Sequence, residues 1–276
     1  MSSVRSFVRE AGRSFPGSDV ALWAAGATFF GILGLVPLAL VALRLAGALV
    51  GADVVAAGMD TAVTGLPGGH GTAEALRTLT ATALDLSPLQ TLVALFPASL
   101  WGEGLRRAFL QLSPRDSERL TGWRGRLGLL PVVLAAPVLV AGVLACAPFV
   151  APLYRGGGWS LVLGVVVAFH VVWILVSIAL VLVYASVAAE RPGVRALLWG
   201  GFGTGSVLAG FLQGFLLFLA IPVEWSLPFG GLPVFGAVAA LALWLYLLHI
   251  LVLLGYRVTL VLDGVLGAGR GTEHRR

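Results

Sequence analysis

The sequence predicts an all-α, polytopic membrane protein of six transmembrane helices preceded by an N-terminal amphipathic interfacial helix. Three observations predict it: an apolar composition, six long uncharged blocks, and arginines gathered at alternate block ends. Hydrophobic residues make up 58% of the 276 positions and charged residues 11%, against about 45–50% and about 25% in ordinary globular domains. That composition excludes a soluble protein, which could not hide so much apolar surface and keep its exterior wet.

Residues 1–18 form the first unit. Val4, Phe7, Val8, Ala11 and Phe15 recur at helical spacing on one face, with Arg5, Arg9 and Arg13 on its flank, the pattern of a helix lying on anionic headgroups. No cleaved leader is expected, because the first apolar run starts near Val20 without a small-residue cleavage pattern behind it. Residues 19–266 form the membrane unit. Its uncharged blocks, 20–43, 86–102, 127–154, 156–189, 196–223 and 225–256, hold 24, 17, 28, 34, 28 and 32 residues. A helix needs about 20 residues to cross the hydrocarbon core, and the 17-residue block reaches that length by continuing past Glu103. Residues 267–276 are read as a cytoplasmic tail.

Arginine placement gives the orientation. With the N-terminus inside, inner segments carry fifteen arginines and outer segments two, Arg77 and Arg155, while Arg44 lies within a span. That bias puts both termini in the cytoplasm. The outer loop, 51–87, is acidic, with Asp53, Asp60, Glu74 and Asp85 against Arg77. Leu76, Leu79, Ala83 and Leu86 predict surface helix there, and Gly68 to Gly71 a turn between two short helices.

Net charge is +5 with arginine and no lysine. An anionic lipid surface explains it, and no nucleic-acid partner is expected. Cys146 is the single cysteine, so neither an intramolecular disulfide nor a cysteine metal site can form.

Three segments carry a family resemblance. Ala24-Ala25-Gly26-Ala27-Thr28-Phe29-Phe30 followed by Leu33-Gly34-Leu35-Val36-Pro37-Leu38 resembles the first-helix signature of the YihY/virulence factor BrkB family. Ala98-Ser99-Leu100-Trp101-Gly102 running into Arg106-Arg107-Ala108-Phe109 is similar to its second helix and inner loop. Leu243-Trp244-Leu245-Tyr246 leading to Leu253-Leu254-Gly255 is similar to its last helix. Gly34 stands where the family has serine, Phe229 where it has the tyrosine of a Tyr-Gly pair, and Arg257 where it has glutamate. The resemblance implies a six-helix bacterial inner-membrane protein. The family was once labelled ribonuclease, and some members are linked to serum resistance or envelope lipid export.

The residues themselves point to no enzyme. His170 and His249 have no carboxylate within one helical turn, and none of His70, His170, His249 and His274 pairs with another histidine at helical or hairpin spacing, so the clustering that metal ligation or phosphodiester cleavage would want is not seen. There is no nucleophile elbow and no phosphate-binding glycine loop. Neither catalytic residues nor a metal or cofactor are expected.

Polar groups inside the spans are costly there and often functional. The candidate substrate-binding residues are Arg44, which either contacts a lipid headgroup or snorkels to the interface, His170 and His249, which either relay protons or bond neighbouring helices, and Gln213. Glu103 reads as a local ion pair with Arg106 and Arg107. Pro37, Pro97 and Pro137 are expected to break their helices and line a cavity. In the fifth span, Gly203, Gly210 and Gly214 share one face and Gly201 and Gly205 another, which suggests packing on both sides, or one packed side and one groove. The expected function is transport or translocation of a lipid or other amphiphile, with membrane lipids as partners. The alternative is a non-transporting scaffold that docks an envelope protein through its outer loop.

Overall fold

The computed structural model describes residues 19–64, 72–113, 122–219 and 226–273. The expected interfacial helix at 1–18, the Gly68–Gly71 turn, His70 and His274 lie outside them.

Among the described residues the chain is helical, without strands. In order they are α1 (Val20–Val50), α2 (Ala52–Val63), α3 (Thr72–Leu84), α4 (Pro88–Leu112), α5 (Gly122–Gly128), α6 (Leu130–Arg155), α7 (Gly158–Ser186), α8 (Val194–Leu219) and α9 (Pro233–Glu273), with a short 3-10 turn at Leu227–Phe229. Among the described residues, four stretches are long and apolar enough to cross a membrane: Val20–Val50, Trp123–Arg155, Gly158–Ser186 and Val234–Gly267. The six-span expectation counts α4 and α8 as the other two. Their 25 and 26 residues make helices about 37–39 Å long.

Local chemistry sets the element ends. Asp19 accepts from the Leu22 amide at 3.0 Å to start α1. Ser87 and Gln90 close a capping box at the start of α4, with Pro88 at the first helical position. Gly51, at φ 101°, turns the chain between α1 and α2. The left-handed backbone there favours glycine.

The prolines behave differently from expectation. α1 runs on as one helix through Pro37, α4 through Pro97 and α6 through Pro137. A proline removes one hydrogen bond of the ladder, and neighbouring helices hold the rest of it in place. Pro131 sits in the first turn of α6, where its missing N–H has no helical partner to lose.

α1 packs along α4 and also touches α6 and α9; α7 lies between α6 and α8, and α8 between α7 and α9. The main core joins α1, α4, the start of α6, and the arginine-rich ends of α7, α8 and α9. A second, smaller core lies at the opposite end, where α2 and α3 cover α1 and α6 through Leu43, Ala46, Val55, Ala83 and Leu144. The two short helices expected in the outer loop are α2 and α3. α9 passes the expected boundary at 266 and continues to Glu273.

Candidate functional site

Three helices meet at a buried polar lock. His249 on α9 is 2% exposed. Trp101 on α4 donates its indole N–H to His249 Nε2 at 2.9 Å. An indole N–H can only donate, so Nε2 accepts and the ring proton sits on Nδ1. That nitrogen faces the Leu245 carbonyl at 2.7 Å and Thr28 Oγ1 on α1 at 3.1 Å. The Thr28 hydroxyl gives its own proton to the Ala24 carbonyl at 2.8 Å. Both ring nitrogens are engaged, so this histidine joins helices. Gly31 makes room for it, because a Cβ there would lie 3.0 Å from the imidazole Cε1. Gly34 likewise lets α1 approach α4, since a Cβ would lie 3.0 Å from that of Trp101.

The arginine-rich end is bolted by side chains to backbone. Glu103, 7% exposed, pairs with Arg107 at 2.6 Å and with Arg126 at 2.8 Å. Arg126 comes from α5, 23 residues away, and takes the role that the sequence reading gave to Arg106. Its guanidinium also lies over the Phe96 and Trp123 rings, 5.0 and 5.1 Å from their centroids. Arg106 turns instead to the end of α7 and donates to the Val187 and Ala188 carbonyls at 3.0 and 3.1 Å. Arg257, the base in place of the family's acid, donates to the Leu112 carbonyl at the end of α4. A cation is favourable at that negative helix end. Between these ties, Phe109, Tyr184 and Tyr256 form an aromatic plug, with Phe109 and Tyr256 centroids 4.5 Å apart. All three rings are buried completely.

Away from that end, burial thins on three helices. In α7 only Gly164 is buried before Ser177, which begins a run of buried positions through Leu180, Val183 and Tyr184. On α8 the buried positions stop at Ala209, and residues 210–215 include none. On α9, Gly236 is the single buried residue among 234–244, ahead of Leu245, His249, Leu253 and Tyr256. The α8 glycines divide in the same way. A Cβ at Gly201 would meet Val181, and one at Gly205 would come 3.0 Å from the Ser177 backbone, whereas Gly203, Gly210 and Gly214 face open space for at least 4 Å. One face of α8 is packed and the other is open. Gln213, half-buried on that sparse segment, lies near the Tyr154 hydroxyl at the end of α6.

The remaining sequence candidates lie apart. The Arg44 Nε donates to the Leu86 carbonyl at 2.8 Å, tying α1 to the connection between α3 and α4. His170 is exposed on α7 and bonds the Val166 carbonyl of its own helix at 2.7 Å. Pro37, Pro97 and Pro137 are on α1, α4 and α6, none of them on the three sparse helices. The structure therefore does not gather Arg44, His170, Gln213 and His249 into one site. Sequence reasoning missed Thr28 and Trp101 as the partners of His249, and missed the aromatic plug. The first two do sit inside the segments that carry the family resemblance.

The profile of the family described as Virulence factor BrkB matches residues 11–276, nearly the whole chain. The chain belongs to the BrkB family. With four helices able to cross a membrane, this BrkB member is an integral, multi-pass membrane protein. No curated protein and no solved structure matches it. Within this BrkB chain the three family segments converge on one point, because Thr28, Trp101 and His249 come from the first, second and last of them.

Proposed function

We propose that this protein takes a lipid or other amphiphile from the membrane and moves it across or out of the bilayer, without a covalent step. In this reading α4 and α8 complete six crossings of the bacterial cytoplasmic membrane, with both termini in the cytoplasm. The supporting observation is the uneven burial of α7, α8 and α9, which are packed at their arginine-rich ends and sparse in their opposite halves. An amphiphile needs apolar walls for its chains and a small number of polar groups for its head. In this reading the open face along Gly203, Gly210 and Gly214 forms the groove that offers the first, and Gln213 with Tyr154 the second.

The test is movement of labelled phospholipid in liposomes that hold the purified protein. Gly210→Leu, which fills the groove, and Gln213→Leu should each slow it severalfold while leaving the protein folded. Wild-type rates in both variants would remove the groove from the mechanism.

A second reading has an observation of its own. α2 and α3 are fixed to the bundle, and their acids Asp53, Glu74 and Asp85 stay exposed. A rigid acidic surface suits docking of a basic envelope protein. Absence of lipid movement from folded wild-type protein, together with salt-sensitive capture of such a partner that is lost in Asp53→Asn with Glu74→Gln, would favour that scaffold.

A further inference from the structure

The segment 187–193, which joins α7 to α8, is gripped from two other helices. Arg106 of α4 donates to the Val187 and Ala188 carbonyls. Tyr256 of α9 holds Glu190 twice: its hydroxyl accepts from the Glu190 amide at 3.3 Å and donates to the Glu190 carbonyl at 3.1 Å. Asp263, two turns further along α9, accepts from the Gly193 amide at 2.9 Å. One short connection is thus fastened at three places by side chains, while the helices it joins are sparsely packed beyond it.

We infer that this connection is the latch of a gate at the arginine-rich end, and that Phe109, Tyr184 and Tyr256 are the plug it holds shut. Tyr256 belongs to both parts, its ring to the plug and its hydroxyl to the latch. Releasing its two bonds leaves this end of α7 and α8 held to α9 by Asp263 and by the Tyr184 hydroxyl on the Val252 carbonyl at 2.8 Å, and loosens the ring stack in the same movement. Behind the plug, Ser177 Oγ is fully buried without a hydrogen-bond partner where α7 meets α8. Separation of that joint hydrates the hydroxyl, which lowers the cost of opening. The inference rests on the amphiphile reading, for it names how the space between α7, α8 and α9 would be closed on one side.

The experiment reads access directly and needs no substrate, so its failure is separable from failure of lipid movement. In full-length protein with Cys146→Ser, Thr204→Cys places a reporter against Tyr184, and Ala46→Cys places a control in the core of the opposite end. A membrane-impermeant maleimide is added on the arginine-rich side of oriented liposomes. Tyr256→Phe keeps the ring and removes the grip on Glu190. With Asp263→Ala it should raise the Thr204→Cys labelling rate about tenfold, the factor expected for roughly 1.4 kcal/mol of lost bonding, with the Ala46→Cys rate unchanged. Tyr256→Phe alone should give a smaller rise, and it decides the matter if the double variant does not fold. Unchanged labelling of Thr204→Cys, or an equal rise at Ala46→Cys that reports general loosening, would overturn the gate.

Discussion

The two ends of the bundle are built by different means. At the arginine-rich end, long polar side chains reach across helices to backbone carbonyls and to one buried acid, and they tie α4 to α5, to the end of α7 and to α9. At the opposite end, two short helices cover α1 and α6 by apolar packing, and α7, α8 and α9 are left thinly packed. Buried hydrogen bonds and ion pairs fix geometry at one end, whereas the other adds to its apolar contacts the Arg44 bond to Leu86 and the exposed Arg77–Asp60 pair. A bundle made this way is stiff at one end and compliant at the other.

That contrast can be broken most sharply at Glu103. Glu103→Leu leaves Arg107 and Arg126 facing each other without their acid, and removal of one member from a buried ion cluster costs about 3 kcal/mol. Arg107 is half exposed, so most of the loss falls on Arg126. A thermal-unfolding midpoint in detergent close to wild type would mean that the bolted end is not where stability resides. Gly102→Ala should come next, at about 2–3 kcal/mol, the cost of overpacking a tight contact. Its Cβ would lie 2.8 Å from that of Leu129 and nearer still to the Gly125 carbonyl.

His249→Leu sharpens the comparison at the middle of the bundle. It strands the Trp101 N–H, while Thr28 keeps its bond to Ala24, and should cost about 2 kcal/mol by the same melting measurement. Arg44→Gln tests the covered part of the opposite end. Loss of the single bond to Leu86 should cost about 1 kcal/mol and loosen α3 to protease or hydrogen exchange, with the arginine-rich end unaffected. Smallest of all is Gly210→Ala on the open face of α8, expected within about 0.5 kcal/mol of wild type, because the methyl group touches nothing.

Much of the fold was legible because the bilayer imposes length and polarity limits that leave traces in sequence. Apolar blocks and clustered arginines follow from those limits, and the helices α1, α6, α7 and α9 fall where the blocks do. The two glycine faces of α8 were legible as faces, but their difference depends on which neighbours arrive, Ser177 and Val181 on one side and none on the other. Candidate site residues were harder. Arg44 bonds a backbone carbonyl 42 residues away, and any residue type presents the same carbonyl, so no side-chain pattern could announce the partner. His249 likewise draws on Trp101 and Thr28, 148 and 221 residues distant. Their pairing becomes visible only when three helices are in place.

α9 is 41 residues long, about 61 Å at the usual helical rise, roughly twice the thickness of a hydrocarbon core. Asp263, bonded to the Gly193 amide, lies 10 residues before Glu273, which leaves a lever arm of about 15 Å beyond it. A tilt of about 10° around that tie would sweep the far tip through about 3 Å. A shift too slight to repack the membrane-embedded contacts would therefore arrive at the far tip as a displacement of about half a helical turn, well placed for other molecules to sense or resist.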